Sequence, residues 1–567
     1  MKQLIKSILA ISAALFMGAA CESVVDIPPS DLLSAEVIWS GDEAILDQYV
    51  IGLYGAVREK STLKMLSTQA TDCLTDIMKD GDYIADRRFN RINYNYQPFT
   101  NDDAGILSNW TDSYIRIRRF NEFLRDAEFY KNRFSPDYLK VRVAEVRFMR
   151  AMQYFYMIRV YGGVIIRDKI EGPEGNDRPR STEDECWDYM IKEIKTAVKD
   201  LPVEWDASNF SRMTKAAAWG FLSRAALYRA WALKLDGGNP ADVKAQFEEV
   251  VSAADSCKAA GAALATTYAE VFNNQKSAEN LITCGFITGK LSHNGDICFR
   301  PKGDATTHAA SLGYPIMPTG DLADRFEMAD GTKFSWDDYN ANPAAWGNDP
   351  FSGREPRFYT TIMYNNMDWE GRKIEAWVGG EDGFQEFVVG VNVTGTCTGY
   401  YFRKFITEGD DSWPSSGGGT HFDVMLRYGE VVLNKAEALA QAGNIPAAVV
   451  ELNRIRSRVN LPGRNATTID DFMALLEQER IVELAGENFR YWDLRRWRKG
   501  RDVLHNSTHY GVKITKDAGE PGGFKYEKCD IDGGMKFYFM DKYYHFSLPQ
   551  SELNNNLALN HVNNPSW

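Results

Sequence analysis

The sequence predicts a mainly α-helical protein, in which helical hairpins of the tetratricopeptide type form a scaffold and an irregular, loop-rich lobe with short strands is inserted between them. Near the C-terminus, two stretches with apolar residues at helical spacing flank a short Gly443-Asn444 turn, as in a helical hairpin. Long helical patterns also dominate from Leu107 onward. Residues 280–420 are instead rich in Gly, Trp, Tyr, Asn and Asp and have few such patterns, which predicts the inserted lobe.

The chain begins with a stretch typical of a secretory signal. In residues 1–20, Lys2 and Lys6 precede an apolar run that ends in small residues, and this pattern predicts a signal peptide. Cys21 follows directly, so we expect it to carry a lipid that anchors the protein to a membrane. The alternative is an ordinary secreted protein with a cysteine here by chance. Residues 21–34 are polar and contain prolines, which is typical of a tether.

Residues 35–279 are expected to form the N-terminal part of the helical scaffold. Asp42 to Arg58 has the periodicity of an amphipathic helix, and further helical patterns begin at Trp110, Ala144, Ser181, Arg212 and Asp242. A glutamate three residues after Thr182 predicts a capped helix start. Residues 61–103 interrupt this part as a long region rich in Asp, Asn and Tyr, and a loop of such length is usually functional or ordered by packing.

The chain then returns to helices after the irregular lobe of residues 280–420. Residues 421–500 are predicted to form the tetratricopeptide-like hairpin and the helices that follow it, and residues 501–567 a closing segment. Ala436 and Ala448 lie on the apolar faces of the two hairpin helices, and their small side chains allow these helices to approach closely.

Residues 486–500 mix aromatic side chains with arginines around Asp493. We interpret this stretch as a buried aromatic plug whose aspartate is held by neighbouring arginines. The alternative, a nucleic-acid or anion-binding patch, is disfavoured because the chain has a formal net charge of -13. The same charge argues against nucleic acid or anionic lipid as the main partner of the protein.

Composition and motifs give no indication of catalysis. The chain has eight cysteines without a Cys-x-x-Cys pair and seven dispersed histidines, so we expect mostly free buried thiols, with one incidental disulfide left open, and neither a metal nor a cofactor. Nucleophile-elbow, zinc-protease and phosphate-loop motifs are absent. The carboxylate pairs Glu381-Asp382 and Asp410-Asp411 lie in Gly-rich stretches, where solvated charge is the simpler interpretation. A glycoside hydrolase would need two carboxylates at a fixed separation, which a sequence does not display.

Several motifs resemble one protein family. The hairpin LNKAEALAQAGN, the later ERIVELAGENFRYWDLRRW and the closing stretch from Tyr544 resemble, in order and spacing, the SusD/RagB family of outer-membrane glycan-binding lipoproteins. The resemblance implies a SusD-like tetratricopeptide scaffold and a non-catalytic, cell-surface protein in the outer membrane. It also implies that the protein captures a glycan and delivers it to a SusC-type TonB-dependent transporter.

By that resemblance, the ligand lies on a shallow surface built from loops outside the scaffold. Exposed aromatic rings can stack on a pyranose, and nearby Asp, Asn and Arg can hydrogen-bond its hydroxyl groups. The two irregular regions supply the candidate ligand-binding residues Asp72, Arg88, Tyr94, Tyr96, Trp336, Trp346, Trp369 and Trp377. For each aromatic residue a packed structural role stays open, and Asp72 and Arg88 could instead form a local ion pair. An envelope glycoside hydrolase and a protein-binding helical-repeat scaffold are the alternative functions.

Overall fold

The computed structural model describes residues 35–567 except 64–69, 83–88, 96–98, 100–104, 173–174, 176, 288, 294, 308–314, 389 and 411–417. The expected signal peptide, the tether with Cys21, and the candidate residues Arg88 and Tyr96 therefore lie outside the described residues.

The protein is mainly helical, as predicted. The longer helices are Glu43–Leu53, Trp110–Phe129, Pro136–Tyr161, Glu183–Asp200, Lys215–Leu235, Pro240–Ala259, Tyr428–Gln441, Ile445–Arg458 and Ile469–Glu483. The shorter helices are Ala35–Ile38, Gly55–Arg58, Phe89–Asn93, Tyr268–Asn273, Gly295–Phe299, Gly303–Thr307, Gly320–Arg325, Trp336–Ala341, Pro356–Thr361, Arg490–Arg496, Gly500–Leu504 and Gln550–Asn555. Among the described residues, no helix combines the length and the apolar composition needed to cross a membrane.

The longer helices form a stacked array of hairpins. From Trp110–Phe129 to Pro240–Ala259, each long helix packs against the next one in the chain. Pro240–Ala259 then packs directly against Tyr428–Gln441, although more than a hundred residues separate the two helices in sequence. The scaffold is therefore continuous in space, and the residues between these two helices include the inserted lobe.

Local sequence signals set the ends of these helices. Thr182 and Glu185 form the predicted capping box at the start of Glu183–Asp200, so two otherwise unpaired backbone N–H groups find acceptors. The hairpin helix Tyr428–Gln441 ends before Gly443, whose φ of 92° is a conformation that glycine adopts without strain. Ala436 and Ala448 are both fully buried in the cluster between the hairpin helices, as expected.

In the part of the chain that the structure describes, four antiparallel two-stranded ladders organise the irregular regions and their junctions, and a fifth lies in the closing segment. They pair Met78–Asp80 with Ile316–Pro318, Asn280–Cys284 with Asp423–Arg427, Ile362–Met363 with Tyr401–Phe402, Asp368–Trp369 with Arg372–Lys373, and Tyr510–Lys516 with Phe524–Asp530. The second ladder joins the two ends of the lobe at its base. The first joins the region 61–103 to the lobe, so the fold brings the two irregular regions together.

The basic-aromatic stretch after the hairpin is a buried plug, as predicted. Asp493 accepts hydrogen bonds from Arg480 at 2.7 and 3.0 Å and from Arg496 at 2.9 Å. Trp492 and Trp497 are buried beside it. The seven described cysteines are present as thiols and six of them are buried, which agrees with the prediction that most cysteines are not in disulfides.

Candidate functional site

Three of the four candidate tryptophans belong to one chain of touching rings. We define the aromatic row as Trp346, Tyr339, Trp336, Tyr526, Phe524 and Trp377. Successive ring centroids lie 6.1, 6.1, 5.8, 6.4 and 5.5 Å apart, which are distances typical of interacting aromatic pairs. The lobe supplies Trp346, Tyr339, Trp336 and Trp377, and the β-hairpin 510–530 supplies the two rings between them.

Short elements hold these rings in place. Trp336 and Tyr339 share the helix Trp336–Ala341, whose start is capped by the Ser335 side chain. Within the hairpin, Phe524 lies opposite Lys516 and Tyr526 opposite Ile514, so period-two alternation turns both rings toward the lobe. The hairpin is hydrogen-bonded to the residue after Trp377, because the Val378 N–H donates to the Ile514 carbonyl at 2.8 Å. This bond holds the Trp377 backbone next to the hairpin.

Burial divides the row into two kinds of ring. Trp336 is 6% exposed, Tyr339 is also buried, and the Trp336 indole N–H donates to Asp324 at 3.2 Å. These two rings form the base of the row. Trp346, Tyr526, Phe524 and Trp377 are half-buried, so part of each ring remains accessible to solvent.

Polar groups with unused hydrogen-bonding capacity lie beside the accessible rings. The Asn365 amide donates to the Tyr526 hydroxyl at 3.5 Å, which leaves the hydroxyl proton for another acceptor. The Asn365 carbonyl oxygen is buried and has no hydrogen-bond partner among the described residues. The Lys516 ammonium lies 4.8 Å from the Trp377 ring centroid.

Burial shifts the pKa of two groups at the row, Tyr526 and Asp349. Burial raises the pKa of Tyr526, so its hydroxyl remains a neutral donor over the physiological range. Burial also raises the pKa of the nearby Asp349 carboxyl. The row therefore combines flat apolar faces with an amide, a hydroxyl, a carboxyl and an ammonium, the groups that bind a polyhydroxylated ring.

Trp369 lies apart from this row. It is 1% exposed, and its indole N–H donates to Asp304 at 3.2 Å. Trp369 contributes to the wall of a cavity of about 530 Å³ whose other polar lining includes Arg403, Glu408 and His421. The cavity is large enough for a small ligand, but Trp369 offers it little ring surface.

Asp72 and Tyr94 are buried away from the row. Asp72 accepts a hydrogen bond from the Asn488 backbone N–H at 2.9 Å, and burial raises the pKa of Asp72 to about 7. The Tyr94 hydroxyl donates to Asp532 at 2.6 Å and contacts Lys79. Tyr94 thus has the packed structural role that the sequence left open for the aromatic residues, whereas Asp72 is a buried carboxyl group hydrogen-bonded to the backbone.

Six residues of the candidate site were not singled out from the sequence: Tyr339, Asp349, Asn365, Lys516, Phe524 and Tyr526. The alternation Phe524-Lys525-Tyr526-Glu527 does carry a usable signal, because aromatic residues two apart on a strand share one face. Only the packing of this strand against the lobe shows which rings its aromatic face contacts.

Comparison with known proteins gives a consistent result over most of the chain. A family model described as SusD family matches residues 288–567, and a model described as "Starch-binding associating with outer membrane" matches residues 28–227. SusD-like protein P38 of Formosa agariphila is 23% identical over 525 residues, which are 86% of this chain and 90% of that protein.

Solved structures agree in fold. A SusD-like protein of Bacteroides fragilis superposes with a TM-score of 0.75 at 24% identity, covering 94% of this chain and 98% of that one. A SusD-like carbohydrate binding protein of the same species superposes with a TM-score of 0.74 at 23% identity, covering 92% of this chain and 100% of that one. The helical array, the inserted lobe and both family models together show that the chain belongs to the SusD/RagB family.

Proposed function

We propose that this protein captures a glycan on the aromatic row and does not cleave it. The observation that carries the proposal is the row itself, because its four half-buried rings and flanking polar groups lie outside the helical scaffold. A sugar ring presents C–H groups to an aromatic face and hydroxyl groups to polar neighbours, so these residues suit both surfaces of one ligand. The carbohydrate-binding description of the related Bacteroides fragilis protein supports this assignment.

We further propose that the glycan passes to a SusC-type TonB-dependent transporter in the outer membrane, beside which the protein is held by a lipid on Cys21. Membership of the SusD/RagB family and the outer-membrane description of one matching model support this location. Cys21→Ala should release the protein from the outer-membrane fraction. A Cys21→Ala variant that still sediments with the outer membrane would contradict the lipid anchor.

Titration against a glycan panel tests the proposed binding, and a reducing-end assay on the same mixtures tests for cleavage. We expect saturable binding of at least one glycan with no new reducing ends. Released product would instead assign the protein to the glycoside hydrolases. Absence of both binding and product would favour a helical scaffold for protein partners.

Variants of the row then locate the site. An accessible ring that stacks on a sugar contributes on the order of 1 kcal/mol, so Trp346→Ala and Trp377→Ala should each weaken binding by roughly fivefold with little loss of stability. Trp336→Ala should instead destabilise the fold by about 3–5 kcal/mol, because that ring is buried.

Trp205→Ala is the matched control, since Trp205 is a half-buried tryptophan that donates to the Met213 carbonyl at 2.9 Å, away from the row. It should leave glycan affinity unchanged. Affinity that survives in both Trp346→Ala and Trp377→Ala would exclude the row as the binding surface.

A further inference from the structure

A small cavity lies where the helix Pro136–Tyr161 meets the buried plug around Asp493. Its volume is about 60 Å³, well below the few hundred Å³ of a site that encloses a drug-sized molecule. Lys60, Thr71, Arg159, Asn488 and Trp492 contribute to its wall. Two of the cationic side chains that meet here, Arg159 and Lys60, form no ion pair with a carboxylate among the described residues.

Arg159 is the first of these cations. Its guanidinium stacks on Trp492, 3.9 Å from the ring centroid, and on Tyr156 at 4.7 Å. The Arg159 Nε atom is buried without a hydrogen-bond partner, and within the described part of the chain Arg159 forms no ion pair. Burial lowers the pKa of Arg159 to about 10, so the group stays positively charged at neutral pH.

Lys60 approaches the same Tyr156 ring, with its ammonium 5.3 Å from the centroid. No carboxylate among the residues that the structure describes lies within ion-pair distance of Lys60. Burial, followed by repulsion from Arg116 and Arg159, lowers the pKa of Lys60 to about 7. Two cations thus share a small space, and each would be stabilised by an anion between them.

The other charged groups of the wall already have partners. Arg224 is paired with Glu430, and Glu487 with Lys404 and Arg427. Asp423 accepts the Thr62 backbone N–H at 2.7 Å, and burial raises the pKa of Asp423. The Thr71 hydroxyl accepts the Trp492 indole N–H at 3.1 Å and keeps its own proton to donate.

We propose that this cavity binds a tetrahedral oxyanion, sulfate or phosphate, between Lys60 and Arg159. The unpartnered Arg159 Nε and the Lys60 ammonium supply charge-assisted donors, and Thr71 supplies a neutral one. The cavity admits a single such group but not a pyranose. The anion is therefore either a free ion or the sulfate ester of a sugar whose ring stays outside.

Calorimetric titration with sodium sulfate at fixed ionic strength, with sodium chloride as reference, tests the proposal. Wild type should bind one sulfate per chain, Lys60→Gln should lower the affinity about tenfold or more, and Lys60→Arg should retain binding because it keeps the charge. Lys244→Gln is the control, since Lys244 is exposed and paired with Glu248. Melting curves in chloride establish that each variant is folded.

The pH dependence separates an anion site from a merely structural lysine. Several charged or titratable groups face Lys60 or line the same cavity: Glu59, Asp112, Arg116, Tyr156, Arg159, Arg224, Tyr228, Asp423 and Glu487, with Asp72 behind Asn488. Lys60 loses its proton between pH 6 and 9, and the neighbouring Asp72 gains its negative charge over the same range. Sulfate affinity should therefore fall with pH in both proteins, but more steeply in wild type than in Lys60→Gln.

Parallel titrations with inorganic phosphate and galactose 6-sulfate identify the source of the anion. Affinity for the ester at least equal to that for sulfate assigns the site to a sulfated sugar, and affinity for the free ions alone assigns it to an inorganic ligand. Non-saturable sulfate binding, or equal sulfate affinity in wild type and Lys60→Gln, would overturn the proposal.

Discussion

At the scale of single residues, burial decides between two roles that the same side chain could have. Trp336 and Trp377 belong to one row of rings, yet the first is 6% exposed and the second is half-buried. A buried ring contributes through packing, whereas a half-buried ring retains a surface for a ligand. Asp72 shows the same effect for a carboxyl group, because its burial raises its pKa to about 7.

The raised pKa of Asp72 predicts a pH-dependent stability. A carboxyl group whose folded-state pKa exceeds its unfolded value of 3.8 stabilises the fold at low pH and loses that contribution as pH rises through about 7. Between pH 5 and 8, the free energy of unfolding of wild type should therefore fall by on the order of 2 kcal/mol relative to that of Asp72→Asn. Urea unfolding of both proteins across this range measures the difference.

Asp236→Asn serves as its control, because Asp236 is exposed. It should track wild type at every pH. A difference between wild type and Asp72→Asn that does not change with pH would show that Asp72 keeps an ordinary pKa in the folded protein.

At the scale of elements, close helix packing rests on small side chains. The hairpin helices Tyr428–Gln441 and Ile445–Arg458 enclose Ala436 and Ala448, both 0% exposed. An interface of this kind has no room for additional methylene groups, because protein interiors are close-packed.

Ala448→Leu should therefore overpack the hairpin and lower the free energy of unfolding by about 1–3 kcal/mol. Val450→Leu is the matched control on the same helix, because Val450 is 62% exposed. Thermal and urea unfolding compare the two variants. Equal free energies of unfolding for Ala448→Leu and Val450→Leu would mean that the hairpin helices can move apart without an energetic cost. Glycan affinity should be the same in both variants, because Ala448 does not contribute to the aromatic row.

At the scale of the whole molecule, buried ion pairs fasten the lobe to the scaffold. Glu483, on the helix that follows the hairpin, accepts hydrogen bonds from Arg357 of the lobe at 3.0 Å and from Arg427 at the lobe's base at 2.8 Å. Arg458 of the hairpin is its third partner. Burial alone would raise the pKa of Glu483, but the three arginines together lower it well below its usual range.

Glu483→Gln should cost about 3–5 kcal/mol at pH 7, because it leaves buried guanidinium groups without their anion. A depressed pKa gives stability that is present above the unfolded value of 4.5 and is lost as pH falls. The difference in the free energy of unfolding between wild type and Glu483→Gln, measured with urea, should accordingly become smaller below pH 4.5. Glu128→Gln, at a surface pair with Lys131, should change stability by no more than about 0.5 kcal/mol.

The sequence by itself determined the helical scaffold, the hairpin with its Gly443 end, the capped start after Thr182 and the plug around Asp493. Each depends on signals a few residues apart, such as apolar periodicity, a capping side chain or a turn glycine. The family resemblance also rested on short local motifs and on the order in which they occur along the chain.

Only the tertiary structure decided which candidate residues lie together. The pairing of Met78–Asp80 with Ile316–Pro318 and the contact of Phe524 with Trp377 join residues that are remote in sequence. Burial then separated Trp336 from Trp346, although both are tryptophans of the same lobe. Burial depends on what the rest of the chain places over a side chain, and no local pattern of residues contains that information.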